Sequence, residues 1–420
     1  MNLPDMKNRT EGKRAIPLPL PPAPKAGRSF PFAGKKERQA RPPEGKTAQA
    51  EQAPKAPKLM SPRAFFRLML GCTAGILLLC GTAVAVFDPF YHYHAPLGPL
   101  RAVLNEKEYQ VVGTLRHFDY DAVLAGSSVV ENVNNRDIDN AFGCTGVKAV
   151  RSYGGTADLC WFLSEAHRTH EVIQVFYNLD PVSFQGPAET TFASTGCPMY
   201  LYDRNPFNDV NYLFNRDVLL KRIPYMLAQS FSPSYEEGKS YYWATDKDFS
   251  ESAVLEHYLR TPSVQPMQQE TLWEEECDAN IALLTREIES HPETEYRFFY
   301  SPYSMLWWDN AIRTGERDAV LYNEEKVMRA LLSYKNVEVY NYQDAEEIVT
   351  DLNNYMDTLH FTPQINAWII GEMAAGRGRV TEATVDVRLE GIRKMSDSLQ
   401  ERYLAAIGKA GRFQYGLAEE

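Results

Sequence analysis

The sequence is short of the residues that would announce a metal, redox or nucleotide-driven protein. Only six cysteines occur in 420 residues. No two are spaced C-x-x-C, which argues against a zinc ribbon or a thioredoxin-like motif. No phosphate loop, dinucleotide fingerprint or metal-ligating cluster is present, so no cofactor and no metal is expected. No internal repeat occurs, which argues against a solenoid or propeller. Residues 68–87 contain no charge at all, and residues 1–60 contain few aromatics.

What is present is a strong asymmetry of charge. The net charge is −11. Through Arg67 there are 15 Lys/Arg against 5 Asp/Glu, a net +10, whereas the remainder carries −21. An acidic body does not suit nucleic acid as a partner. A basic arm next to an apolar stretch suits anionic lipid. Residues 1–60 hold 11 of the 26 prolines. Such a segment buries too little apolar surface to offset its ordering entropy, so residues 1–62 read as a disordered cytoplasmic arm. Residues 63–87 read as a transmembrane helix, because about 20 apolar residues at 1.5 Å each span a bilayer. Arg63 and Arg67 precede the run, and the excess of Lys/Arg puts the N-terminus in the cytoplasm. Everything after Phe87 is then extracytoplasmic. A cleaved signal peptide is the rival reading, since Ala83-Val84-Ala85 resembles a cleavage site, but the preceding segment is far too long for one.

Residues 88–118 form a juxtamembrane connector whose aromatics and histidines, His92 and His94 among them, suit the membrane interface. From Tyr120 onward apolar runs alternate with amphipathic stretches, the pattern of an α/β fold with a parallel sheet. Five strands are expected, at residues 122–125, 147–150, 172–177, 296–300 and 337–340. Helices are expected at about 158–169, 271–290, 318–334 and 366–375. The domain runs over residues 119–375, with an aromatic-rich helical insertion at 181–265 that includes an amphipathic helix at 209–229. That insertion reads as a lid, and its aromatics either stack on sugar or fill a core. A charged helical tail follows at 376–420. Cys144, Cys160, Cys197 and Cys277 are external and either form disulfides, in one of three connectivities, or remain buried thiols.

The chemistry sits at the loops that follow strands. Residues 120–130 read YDAVLAGSSVV: a buried strand, a glycine free to turn at positive φ, and then two serines. In open α/β sheets the carboxyl ends of strands carry the site. A serine there needs an oriented base to become a nucleophile. Alone, Gly-Ser-Ser is just as well a helix cap. The best base is His360, three residues after Asp357. At that spacing the carboxylate can hold one imidazole nitrogen while the other faces Ser128. Backbone N–H groups at Ser128 and at Gly154 or Gly155 are candidate oxyanion donors. Asn178 either adds a side-chain donor or is a turn residue, and Asp180 can cap the next segment. His117, His167, His170, His257 and His291 read as solvated or surface residues.

The order Ser, Gly, Asn, His at successive strand ends resembles the SGNH (GDSL-type) hydrolase superfamily. Gly126-Ser127-Ser128 is similar to its first block, Gly154 or Gly155 to its second, and Asp357-x-x-His360 to its last. The third block departs, with Tyr177-Asn178-Leu179-Asp180 in place of Gly-x-Asn-Asp. The likeness covers about residues 118–373 and is nearest to membrane-anchored members tied to cell-surface polysaccharide O-acetylation and to D-alanyl-lipoteichoic acid transfer. It implies a three-layer fold, a Ser128–His360–Asp357 site, an acylated cell-envelope polymer as substrate and a membrane acyltransferase as a partner. The outcome is either hydrolysis or transfer to a sugar hydroxyl. The contrasting reading is a non-catalytic scaffold that binds glycan or such a partner.

Overall fold

The computed structural model describes residues 60–416. The basic, proline-rich arm therefore lies outside the described residues up to position 59. The strands are β1 (Ala122–Gly126), β2 (Gly146–Val150), β3 (Gln174–Leu179), β4 (Leu259–Arg260), β5 (Glu295–Tyr300), β6 (Val337–Asn341), β7 (Arg379–Val380) and β8 (Gln414–Tyr415). The main sheet is mixed but mostly parallel, in the order β2-β1-β3-β5-β6-β7. Every residue of β1 is buried, as a strand covered on both faces requires, which is why it reads as an unbroken apolar run. Leu124 pairs with Lys148 on one side and Phe176 on the other.

The order has a functional consequence. The chain moves from β1 to β2, then crosses back to place β3 on the other side of β1. The loops after β1 and β3 therefore diverge, and an open parallel sheet forms its crevice at that reversal. Helix Thr156–Thr169 packs on helices Lys107–His117 and Glu274–Ser290, and Asn135–Phe142 packs on Pro363–Ala374.

Several expectations change. The sheet has six strands rather than five, because β7 adds antiparallel to β6 through Val339 and Val380. Two residues make too short a run to show in a hydrophobic pattern. The connector contains a helix, Lys107–His117, that buries Val111, Val112 and Leu115. The amphipathic helix expected at 209–229 is broken into Val210–Leu213, a wide π turn at Val218–Arg222, and Ile223–Ser230. Asn215 causes the break: its side-chain oxygen accepts from the N–H groups of Asp217 (2.9 Å) and Val218 (3.3 Å), a local alternative to helical bonding. The helix of the tail ends at Leu399, and a π turn joins it to Ala405–Lys409. All six cysteines are free thiols. Burial pushes Cys144 up to about 11 and Cys277 up to about 12.

Buried polar contacts stitch the additions to the sheet. The tail returns as β8 beside β4. There Arg260 donates to both carboxylate oxygens of Asp309, at 2.7 and 2.9 Å, and Tyr258 donates to the same group at 2.8 Å. At the end of helix Pro62–Phe87, which is long and apolar enough to cross a membrane, Asp88 is fully buried. Its carboxylate accepts the backbone N–H groups of His92, Tyr93 and His94 and the hydroxyl of Tyr212 in the insertion. His92 and Tyr93 both reach Asp209. The connector histidines are thus hydrogen-bonded into the protein: His92 to Asp88 and Asp209, and His94 to Asp88 and to the carbonyls of Ala85 and Ala95.

Lys148 joins the insertion to β2. Its ammonium donates to the carbonyls of Glu131 (2.7 Å) and Ser240 (2.6 Å). Burial lowers its pKa from 10.5 to about 7, with the nearby Glu131 opposing. Between those values the unfolded chain binds a proton that the folded chain does not, so this residue makes stability rise with pH through the window. Denaturant midpoints of the wild type are expected to rise from pH 7 to about pH 9 relative to Lys148→Met, whose own profile lacks that contribution. Parallel profiles for the two proteins would contradict it.

Candidate active site

The site begins where β1 stops. A Cβ at Gly126 would stand 2.5 Å from Val130 Cγ2 and 3.0 Å from Asn178 Cβ. Glycine is needed here for close approach, not for a left-handed turn, since Gly126 is not among the residues of positive φ. Ser127 is extended. Its hydroxyl caps the next turn by accepting from Val129 N–H and donates to Asp180 Oδ2 at 3.3 Å. Ser128 opens the single 3-10 turn Ser128–Val130. At that first position its backbone N–H has no intrahelical acceptor.

Residues 356–360 form the facing loop. Tyr355 and Phe361 pair as an isolated antiparallel bridge, and both rings are buried. Thr362 N–H donates to Asn354 O and Met356 N–H to His360 O. The loop is clamped from the end of β5. Ser304 donates both its N–H (3.0 Å) and its hydroxyl (2.7 Å) to Thr358 O, while Tyr355 OH donates to Pro302 O. Inside this clamp Asp357 folds back on its own loop. Its Oδ1 accepts from the N–H groups of Leu359 and His360, and its Oδ2 lies 2.6 Å from His360 Nδ1. The other ring nitrogen, Nε2, stands 2.7 Å from Ser128 Oγ. Burial works to raise the Asp357 pKa. The hydrogen bonds and charge of His360, with the two backbone N–H groups, outweigh it and hold the carboxyl below its usual range. The carboxylate thus stays ionised and orients the imidazole.

The insertion closes over this chain of contacts. The Trp243 ring meets the His360 ring edge-on, 5.3 Å between centroids, and its indole N–H donates to Ser128 O at 3.4 Å. Asn132 holds that segment by accepting from the N–H groups of Trp243 and Ala244. Tyr153 stands in the loop after β2 with φ 55° and is 94 % exposed.

The remaining candidate residues lie as follows. Asn178 belongs to β3 itself, opposite Phe299, and is buried. Its amide donates to Ser301 Oγ (2.9 Å) and Phe299 O (3.3 Å), so its N–H groups are spent inside the sheet rather than on an oxyanion. The N–H of Gly154 donates to Arg151 O and closes a turn. Gly155 is the residue before helix Thr156–Thr169, where a backbone N–H has no helical partner. The backbone donors left for an oxyanion are therefore those of Ser128 and Gly155. Asp180 caps the turn Pro181–Phe184 by accepting from Val182 N–H. Burial raises its pKa, partly offset by that bond and by Ser127.

His167 and His291 are not solvated singly. Their rings stack at 3.6 Å and 5° beside Glu287, and the three donor atoms lie within 4.8 Å of one another. Nitrogen lone pairs lie in the ring plane. In parallel stacked rings they run side by side, so a metal at about 2.0–2.1 Å from both nitrogens would sit far out of both planes. The roles of Trp243, Asn132 and Ser304 escaped sequence reasoning, because each depends on a partner more than 50 positions away: Trp243 on Ser128, Asn132 on Trp243 and Ser304 on Thr358.

No family model matches the chain, and no curated protein matches it. Among solved structures, a Streptococcus pneumonia protein provisionally described as a platelet activating factor is similar over 73 % of this chain and 99 % of its own length, at 10 % identity and a TM-score of 0.33. A similarity that slight bears on neither fold nor chemistry. The chemistry rests on the three side chains above.

Replacing Asp357 by Asn would let an amide N–H face His360 Nδ1 and favour the wrong tautomer. The labelling rate of Ser128 by a fluorophosphonate is expected to fall by about 10³–10⁴. A fall of less than tenfold would contradict the orienting role.

Proposed function

We propose that this protein is a membrane-anchored serine acyl esterase or O-acyltransferase of SGNH type, acting outside the cytoplasm on an acylated cell-envelope polysaccharide or teichoic-type polymer. The observation that carries the reading is the continuous contact Ser128 Oγ–His360 Nε2–His360 Nδ1–Asp357 Oδ2, with both links under 2.8 Å. That arrangement is what an activated serine requires. Its place at the reversal of strand order, at the carboxyl edge of the sheet, supports the same reading.

Ser128 Oγ attacks the acyl carbonyl carbon and its proton passes to His360 Nε2. Negative charge develops on the carbonyl oxygen, which the backbone N–H groups of Ser128 and Gly155 are suited to bind. Removing such a donor typically costs about 3–4 kcal/mol of barrier. As the ester C–O bond breaks, the proton moves from His360 to the departing oxygen and leaves an acyl-serine. Water or a sugar hydroxyl then gives up a proton to His360 as it attacks the acyl carbon, and when the acyl carbon–Oγ bond breaks that proton returns to Ser128 Oγ. The Trp243 indole packs edge-on against His360 and narrows the approach to it. Exposed Tyr153 offers a ring face for a sugar.

Helix Pro62–Phe87, which is long and apolar enough to cross a membrane, supports the anchor. Lys/Arg excess before it supports a cytoplasmic N-terminus. One observation favours a scaffold instead: the Asn178 amide is committed to Ser301 and leaves a hole of backbone donors alone. In that reading the fold holds glycan or a membrane-bound acyltransferase without reacting.

The full chain in detergent is expected to hydrolyse an activated acetyl ester and to carry a fluorophosphonate adduct on Ser128. Ser128→Ala should lose both while still binding polymer. Absence of any adduct on the wild type, with polymer binding equal in the two proteins, would favour the scaffold.

A further inference from the structure

The membrane helix is too short where it is bare. Residues 60–79 are all exposed, whereas from Cys80 onward one face of the helix is covered by the protein. The bare apolar stretch without charge runs from Leu68 to Leu79, twelve residues, or about 18 Å at 1.5 Å per residue. The hydrocarbon layer is about 30 Å thick. The missing depth is supplied by the covered turns, residues 80–87, so whatever packs against those turns stands at the depth of the outer leaflet.

The packing elements are helix Val210–Leu213 and the π turn Val218–Arg222 of the insertion. Phe214 lies at the level of Gly81, with ring carbons 3.5 and 3.7 Å from where a Cβ on that glycine would be. Gly81 is six residues, about 9 Å, inside the end of the helix. These elements turn apolar side chains outward. Val210 is 52 % exposed, Phe214 48 %, Leu220 64 % and Phe207 88 %. Arg216 and Lys221 project from the same segment and share Asp217 as an ion-pair partner. Apolar side chains beside basic ones on an irregular amphipathic segment are the signature of an interfacial element.

We infer that the segment from Phe207 to Lys221 is immersed in the outer leaflet, its apolar side chains among acyl chains and its basic residues at the head groups. Asp88, holding both the connector and Tyr212, fixes the depth of immersion. The inference rests on the membrane-anchor reading above and adds a second, monotopic contact to the single span.

Photo-crosslinking tests it on the full chain in phosphatidylcholine–phosphatidylglycerol vesicles. A benzoylphenylalanine is placed at Leu220, at Leu78 in the bare helix, or at Val387, which is exposed on the tail. Lipid adducts are expected at Leu220 and Leu78 and not at Val387. An adduct at Leu78 with none at Leu220 overturns the immersion and leaves the anchor intact. Adducts to a second protein chain at Leu220, in place of lipid, overturn it in favour of a protein contact. No lipid adduct at Leu78 removes the membrane anchor itself, and this inference with it.

Discussion

A single hydrogen bond joins parts of the chain 232 residues apart: Ser128 Oγ to His360 Nε2. Closing so long a loop is entropically unfavourable, and nothing local repays it. The sheet does so by bringing both loops to one edge. β1 delivers Ser128 through a glycine that alone fits against Val130 and Asn178. The loop after β5 delivers His360 by gripping Thr358 O with Ser304. The strand order matters as much as the residues. Were β3 not across β1 from β2, the loops after β1 and β3 would crowd rather than part, and the serine would have no crevice to face.

The same economy appears in how the additions attach. Each is tied down by a buried polar group that faces several donors or acceptors at once. Asp88 binds the connector and the insertion, Lys148 binds the insertion to β2, and Asp309 binds β4 and its neighbour Tyr258. Buried polar groups are unfavourable unless satisfied, so each such group penalises any arrangement that separates its partners. The insertion is thereby tied to the sheet at several points, with Trp243 held on Asn132 beside the site.

Local chemistry was legible in the sequence and long-range competition was not. The β1 run and its Gly-Ser-Ser end are visible because a strand buried on both faces writes itself as consecutive apolar residues. Asp357-x-x-His360 is visible because the carboxylate reaches the imidazole within one short loop. The fate of Asn178 was hidden, since extending β3 through that residue depends on Phe299 and Ser301, more than 120 positions away. The broken helix near Asn215 was hidden because apolar periodicity continues across it, while one side chain diverts two backbone N–H groups. The stacking of His167 on His291 depends on two helices meeting, which neither helix records.

If Ser128 is the nucleophile proposed here, it becomes covalently acylated with His360 as its base. Rapid acid quench of the full chain mixed with an activated acetyl ester, followed by peptide mass spectrometry, tests it most directly. One acetyl group is expected on Ser128 in the wild type and none in His360→Ala. An acetyl group on another residue, or one on Ser128 that forms equally fast without His360, would contradict it.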